Sequence, residues 1–92
     1  MRDKKFVIDS IKMDLYRLVT AAGDLNNNIS TESLLEFLNH AELDFNKIEL
    51  SERENELKNE LLVLKKEVHN CLENPTKRLR WTEDILTIRC RL

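Results

Sequence analysis

Helix-breaking residues are almost absent from this chain, which contains one glycine, Gly23, and one proline, Pro75. The stretch from Asp24 to Asn74 has neither, and leucine, glutamate and lysine recur throughout it. Inside a helix, glycine costs about 1 kcal/mol and proline about 3 kcal/mol relative to alanine, so their absence permits long helices. We therefore predict an all-α fold, an antiparallel up-down-up bundle of three long helices followed by a short C-terminal fourth helix.

The length and composition favour one small domain with an aliphatic core. We assign residues 1–92 to a single domain, because this length lies within the usual range for one. Aromatic residues make up 5% of the chain and charged residues 35%, so leucine, isoleucine and valine must fill the core. A domain of this size buries only about 60–65% of its unfolded surface, so association with another chain would add stability.

The net charge of −2 gives no general attraction to nucleic acid or to anionic membranes. The N-terminal residues are charged and not an apolar leader, and no stretch approaches the roughly 20 apolar residues that cross a bilayer. We expect a cytoplasmic protein that makes no membrane contact.

The first predicted helix covers Lys4–Ala22, and we expect Gly23 to end it in the left-handed conformation. Asp14 and Arg17 lie off its apolar stripe and are spaced to form an ion pair. Apolar residues step by three and four along one side of this helix, as expected for a buried face: Ile8, Ile11, Leu15, Leu18 and Ala22.

The second predicted helix runs from Thr31 to about Glu49, after an asparagine-rich turn over residues 24–29. Ser30 is a good N-cap, and Ile29 and Leu34 have the spacing of a hydrophobic staple. Its apolar stripe consists of Leu34, Leu38, Ala41, Phe45 and Ile48.

This stripe fails after Ile48, where the next helical positions are polar. Ser51 and Glu54 have the spacing of a capping box, which marks the start of a new helix. We therefore place a turn at Glu49–Ser51. The alternative is one bent helix over residues 31–73, since neither glycine nor proline enforces the turn.

The third predicted helix covers Glu52–Glu73 and ends at Asn74-Pro75, because proline cannot continue the hydrogen-bond ladder. Its stripe consists of Leu57, Leu61, Leu64, Val68 and Cys71. We interpret Cys71 as a small buried apolar residue.

The last segment has two interpretations. Thr82 can cap a helix that runs to Leu92, with acidic residues in its first turn and arginines in its last. The alternation of Leu86, Ile88 and Cys90 with polar residues is also typical of a strand, which would need a partner strand. We favour the helix.

No arrangement of residues indicates catalysis, a metal or another cofactor. Helical di-metal sites use Glu-x-x-His on two helices, whereas Phe37 precedes His40 by three residues and Lys66 precedes His69. A single glycine also leaves no phosphate-cradling loop or nucleophile elbow. We therefore expect a non-enzymatic protein without cofactors or a small-molecule substrate.

Histidine phosphotransfer is the alternative function, because small helical bundles can present one histidine to a phosphorylated partner. His69 fits this role better than His40, since Lys65 and Lys66 lie within one turn of it. An ordinary solvent-exposed histidine explains the same pattern.

A basic tail could make weak contact with nucleic acid through phosphates and one stacked base. The acidic middle of the chain, with twelve acidic and five basic residues at positions 24–74, opposes this. We therefore do not expect nucleic acid as the main partner; instead, Trp81 would pack over the end of the bundle. The tail residues are Lys77, Arg78, Arg80, Trp81, Arg89 and Arg91.

Surplus apolar residues favour a protein-protein interaction or regulatory module. The run from Leu61 to Leu64 is apolar most of the way round one helical turn, more than a single buried stripe requires. We predict that Leu62, Val63 and Leu72 on the third helix form the association surface. The expected partner is a second copy, giving a homodimer, or another protein.

Overall fold

The computed structural model describes residues 3–24 and 30–92, and every regular element within them is an α-helix. The all-α class is therefore confirmed. Residues 25–29 of the predicted turn, which include Ile29 of the staple, lie outside the described residues. The helices are α1 (Lys4–Gly23), α2 (Thr31–Phe45), α3 (Glu52–Lys66), α4 (Val68–Cys71) and α5 (Pro75–Arg91).

One hydrophobic core joins these helices, and the three predicted stripes supply most of it. All the stripe residues are buried except Ile48, which lies beyond the end of α2 and is half-buried. Within the described ranges, α1 and α3 each pack against both α2 and α5, and they touch each other through the ion pair of Lys4 with Glu54, at 2.7 Å. No helix in those ranges is long and apolar enough to span a bilayer.

The end of α1 differs from the prediction. Gly23 belongs to the helix and has no positive φ, and Asp24 follows it in an extended conformation. The Arg78 guanidinium of α5 donates to the carbonyl oxygens of Ala22 at 2.6 Å, Asp24 at 2.7 Å and Ala21 at 3.2 Å. Because a side chain from another helix binds these terminal acceptors, the left-handed glycine is not needed, and that prediction was wrong.

The separation of α2 from α3 is confirmed, and the single bent helix is wrong. However, α2 ends at Phe45 and not near Glu49. Asn46 is its C-cap, and the Asn46 side-chain oxygen accepts a 2.7 Å hydrogen bond from Lys58 Nζ of α3. This contact holds the chain where it leaves α2, and the helix therefore ends four residues before the predicted turn begins at Glu49.

The capping box that begins α3 is confirmed, with Ser51 and Glu54 bonded reciprocally. The predicted helix to Glu73 is interrupted, since α3 ends at Lys66 and the short α4 follows Glu67. In a regular helix the Leu64 carbonyl would accept from the N–H four residues later. Here that carbonyl instead accepts from the Glu67 N–H, three residues later, at 3.2 Å and from the Trp81 indole of α5 at 2.8 Å, and these two contacts account for the break.

The C-terminal helix begins at Pro75 and not at Thr82, so at 17 residues it is not short. Asn74 is the N-cap, and its side chain accepts a 2.8 Å hydrogen bond from the Lys77 N–H. Proline is favoured at the first helical position because its missing N–H would be unpaired there. Asn74 and Pro75, which end the preceding segment, therefore also start α5. The strand interpretation of the last segment is wrong.

Candidate interaction surface around α1

The outer side of α1 carries large apolar side chains. Phe6, Met13 and Tyr16 lie away from the buried stripe, and each is more than half exposed. Arg89 of α5 lies over the Tyr16 ring, with its guanidinium carbon 5.7 Å from the ring centroid. This ring therefore has one face against a cation and remains accessible at its edge.

The helices that pack on α1 also carry exposed leucines. Arg89 donates to the Lys12 carbonyl and Arg78 to the Ala22 carbonyl, so Leu86 of α5 lies level with the middle of α1. Leu86 is exposed, as is Leu43 on the outer side of α2. We call this set the α1 face: Phe6, Met13, Tyr16, Leu43 and Leu86.

A polar cluster lies in the seam between α1 and α2, beside Phe6 and Met13, which line a shallow groove together with Asp14. The buried Asp44 carboxylate of α2 accepts from the Ser10 hydroxyl at 2.9 Å and from Lys47 Nζ at 3.1 Å. Both Asp44 oxygens are thus hydrogen-bonded.

Asp14, in the same seam, is less well satisfied. Its Oδ1 accepts from Arg17 at 3.4 Å, whereas its buried Oδ2 has no hydrogen-bond partner, and His40 Nδ1 is 3.9 Å away. Burial raises the pKa of Asp14, and the nearby Asp44 raises it further, while His40 and Arg17 act in the opposite direction. The predicted Asp14–Arg17 pair is confirmed, but Asp14 is buried and not on the solvent side.

The three residues predicted for association do not share one patch. Val63 is exposed in a groove between α3 and α5, whereas Leu62 is half-buried in a separate groove beside α2. Leu72 is half-buried against the core. Whether any of them contacts a partner stays a prediction.

His69 is exposed on α4, and its groove is also lined by Lys65 and Lys66. Lys65 Nζ is paired with Glu42 of α2 at 2.9 Å, so one of these two cations is engaged within the fold. Cys71 is buried, as predicted, and burial raises the pKa of its thiol to about 11. This thiol is therefore protonated at neutral pH.

The basic tail residues point in several directions around α5. Trp81, predicted to pack over the end of the bundle, is buried, and its indole donates to the Leu64 carbonyl of α3. Arg78 and Arg89 donate to carbonyl groups of α1, and Lys77 is 3.6 Å from Glu73. Arg80 and Arg91 are exposed. Trp81 does line one groove with Lys77 and Arg80, but it is only 3% exposed, so its ring is not available for stacking a base.

Within residues 3–24 and 30–92, no group of three or more histidine, cysteine, aspartate or glutamate side chains could hold a metal ion. No known protein family, curated protein or solved structure matches the chain.

Sequence reasoning missed Phe6, Met13 and Tyr16. A signal was present, because Phe6 and Met13 are seven residues apart and lie on the side of α1 opposite its buried stripe. The burial of Asp14 had no such signal, since it depends on side chains supplied by α2.

Proposed function

We propose that this chain is a non-enzymatic interaction or regulatory module that associates with a second copy of itself through the α1 face. The observation that most supports this proposal is the exposure of Phe6, Met13 and Tyr16 on one helix. Leu43 and Leu86, on the two helices packed against α1, are exposed as well. Contiguous apolar surface with a polar rim is typical of interaction sites, whereas scattered apolar residues need no explanation. Burial of this surface would also stabilise a small domain.

We further propose that the four longer helices form one antiparallel up-and-down bundle. The start of α1 meets the end of α2 through Ser10 and Asp44. Lys58 of α3 bonds to Asn46, whereas Lys65, further along α3, bonds to Glu42, further back along α2, so these two helices run in opposite directions. In this arrangement α1 and α3 are diagonal neighbours. Their outer faces then point in different directions and can be tested separately.

The test compares Met13→Glu on α1 with Val63→Glu on α3. The two side chains are matched controls, because each is 53% exposed and neither change disturbs the core. We expect light scattering across a concentration series to give a dimer for the wild type and for Val63→Glu, and a monomer for Met13→Glu. If Val63→Glu were the only variant to lose the dimer, the association site would lie on α3 and not on α1.

Phosphotransfer through His69 is a second proposal, supported by its exposure beside Lys66 in one groove. Incubation with acetyl phosphate should then add one phosphoryl group to the intact mass, and His69→Gln should abolish the addition while His40→Gln retains it. An unchanged mass would eliminate this proposal.

A further inference from the structure

We infer that a second copy of this chain completes the α1 face by donating its Arg17 guanidinium to the Asp14 carboxylate, reciprocally across a two-fold axis. The inference rests on the proposed function, because it names the contact that self-association makes. It starts from a buried acceptor and an exposed donor that lie three residues apart on α1.

The acceptor is Asp14 Oδ2. The Asp14 side chain is 5% exposed and lines the groove beside Met13, while its buried Oδ2 has no hydrogen-bond partner. A buried carboxylate oxygen without a donor destabilises the folded chain. Replacing Asp14 by an apolar residue would remove this cost, so the carboxylate is best explained by a donor that arrives from outside.

The donor is Arg17, whose hydrogen bond to Asp14 within a single copy of the chain is long. Its side chain is 54% exposed, and its guanidinium donates within the described residues only to Asp14 Oδ1, at 3.4 Å. A guanidinium has five N–H groups in a fork that suits carboxylates. Most of the hydrogen-bonding capacity of Arg17 therefore remains for a second carboxylate.

Symmetry makes this pair self-complementary. A two-fold interface places the same surface on both sides, so it needs acceptor and donor on one patch. Asp14 and Arg17 lie on the edge of α1 that faces α2. When two α1 helices pack antiparallel through Met13, this edge meets its own equivalent, and Arg17 of one copy reaches the Ser10 and Asp14 level of the other.

His40 lies beside the acceptor. Its Nδ1 is 3.9 Å from Asp14 Oδ2 and its side chain is 72% exposed, so it can change rotamer, as the proposed contact requires. Two other charged groups near this seam, Asp44 of α2 and Lys47 just beyond its end, are paired with each other. Asp9 lines the same groove as Asp14, so an incoming cation would meet Asp9 as well as Asp14 and Asp44.

The experiment measures the dimer dissociation constant of the full chain by sedimentation equilibrium. We expect Arg17→Gln to raise this constant by about tenfold or more, since it removes one partner of a charge pair that the interface desolvates. Lys5→Gln is the matched control, an exposed basic residue of the same helix, and should change it by less than about twofold. Asp14→Asn should weaken the dimer as much as Arg17→Gln, and the double variant should weaken it no further.

Carboxyl-carbon NMR supplies a second readout. As the wild type is concentrated, the Asp14 resonance should titrate at a lower pH, and this shift should be absent in Arg17→Gln. A Met13→Glu monomer together with an unaltered Arg17→Gln dimer and Asp14 titration would overturn this inference and leave the proposed function standing. A wild type that stays monomeric at every concentration would overturn both.

Discussion

Helices α1 and α3 carry apolar stripes of the same kind, yet one exceeds its predicted length and the other breaks. Both outcomes depend on a side chain of α5. Arg78 binds the terminal carbonyls of α1, so that the helix includes Gly23, whereas the Trp81 indole takes the Leu64 carbonyl and interrupts α3 after Lys66. The ends of both helices are therefore set by tertiary contacts and not by local propensity.

The same two helices differ in their outer surfaces. The surplus of apolar residues in the predicted third helix suggested an association surface there, but Leu62 and Leu72 are each half-buried in the fold. α1 exposes Phe6 and Met13 because neither α2 nor α5 reaches its outer side. An apolar residue off the stripe indicates association only when the helices around it leave it uncovered.

Removal of the Arg78 guanidinium should have the largest effect on stability. Arg78→Met leaves carbonyl groups of α1 without this donor, and we expect a loss of about 2–4 kcal/mol in the free energy of unfolding. Arg80→Met, at an exposed position two residues later, should change it by less than about 0.5 kcal/mol. Urea denaturation measures the free energy of unfolding of both variants. Equal losses would show that the Arg78 guanidinium does not stabilise the end of α1.

Trp81→Phe should affect α3 instead. The ring remains apolar but its N–H donor to the Leu64 carbonyl is lost, at a cost of about 1–2 kcal/mol. We also expect slower hydrogen exchange at the Val68 amide, because the Leu64 carbonyl keeps only the Glu67 N–H as a donor and can then accept the regular helical bond. An unchanged or faster exchange rate at Val68 would show that the indole does not cause the break.

The buried Asp14 of α1 and the half-buried Glu54 of α3 should respond oppositely to pH. The pKa of Asp14 is raised above 3.8, so this residue destabilises the fold at neutral pH, and the destabilisation is relieved as pH falls through its folded pKa. The pKa of Glu54 is lowered below 4.5 by its bonds to Lys4 and Ser51, so its stabilisation is present above 4.5 and lost as pH falls.

We therefore expect Asp14→Asn to raise the stability of the monomer at pH 7 by about 1 kcal/mol, and Glu54→Gln to lower it. The gain from Asp14→Asn should shrink in acid, as should the loss from Glu54→Gln. Thermal unfolding of dilute protein between pH 3 and 7 measures both trends. A gain that grows as the pH falls would mean that burial does not disfavour the Asp14 charge.

Gly23→Ala should have the smallest effect, a stabilisation of about 0.5–1 kcal/mol. Gly23 has helical geometry, and an added Cβ would meet Thr82 Cγ2 at 3.6 Å, an ordinary contact. Thermal denaturation checks this change, with Ala21→Gly as the reverse control on the same helix turn. Destabilisation by Gly23→Ala would favour the left-handed conformation predicted from the sequence.

Periodicity predicted the helical class and the buried stripes, because each is a local property of the helix that carries it. The capping box at Ser51 was predictable for the same reason. The end of α1, the break at Glu67 and the burial of Asp14 were not, since each depends on a residue distant in sequence: Arg78, Trp81 or Asp44. The α1 face lies between these cases, as its spacing was visible but its exposure was not.

The central claim is that α1, and not α3, carries the association surface. Amide chemical-shift mapping of the full wild-type chain across a dilution series tests it most directly. We predict concentration-dependent shifts at Phe6, Met13 and Arg17, with Leu62 and Val63 unchanged. Shifts confined to α3, or an invariant spectrum from dilute to concentrated protein, would contradict the account.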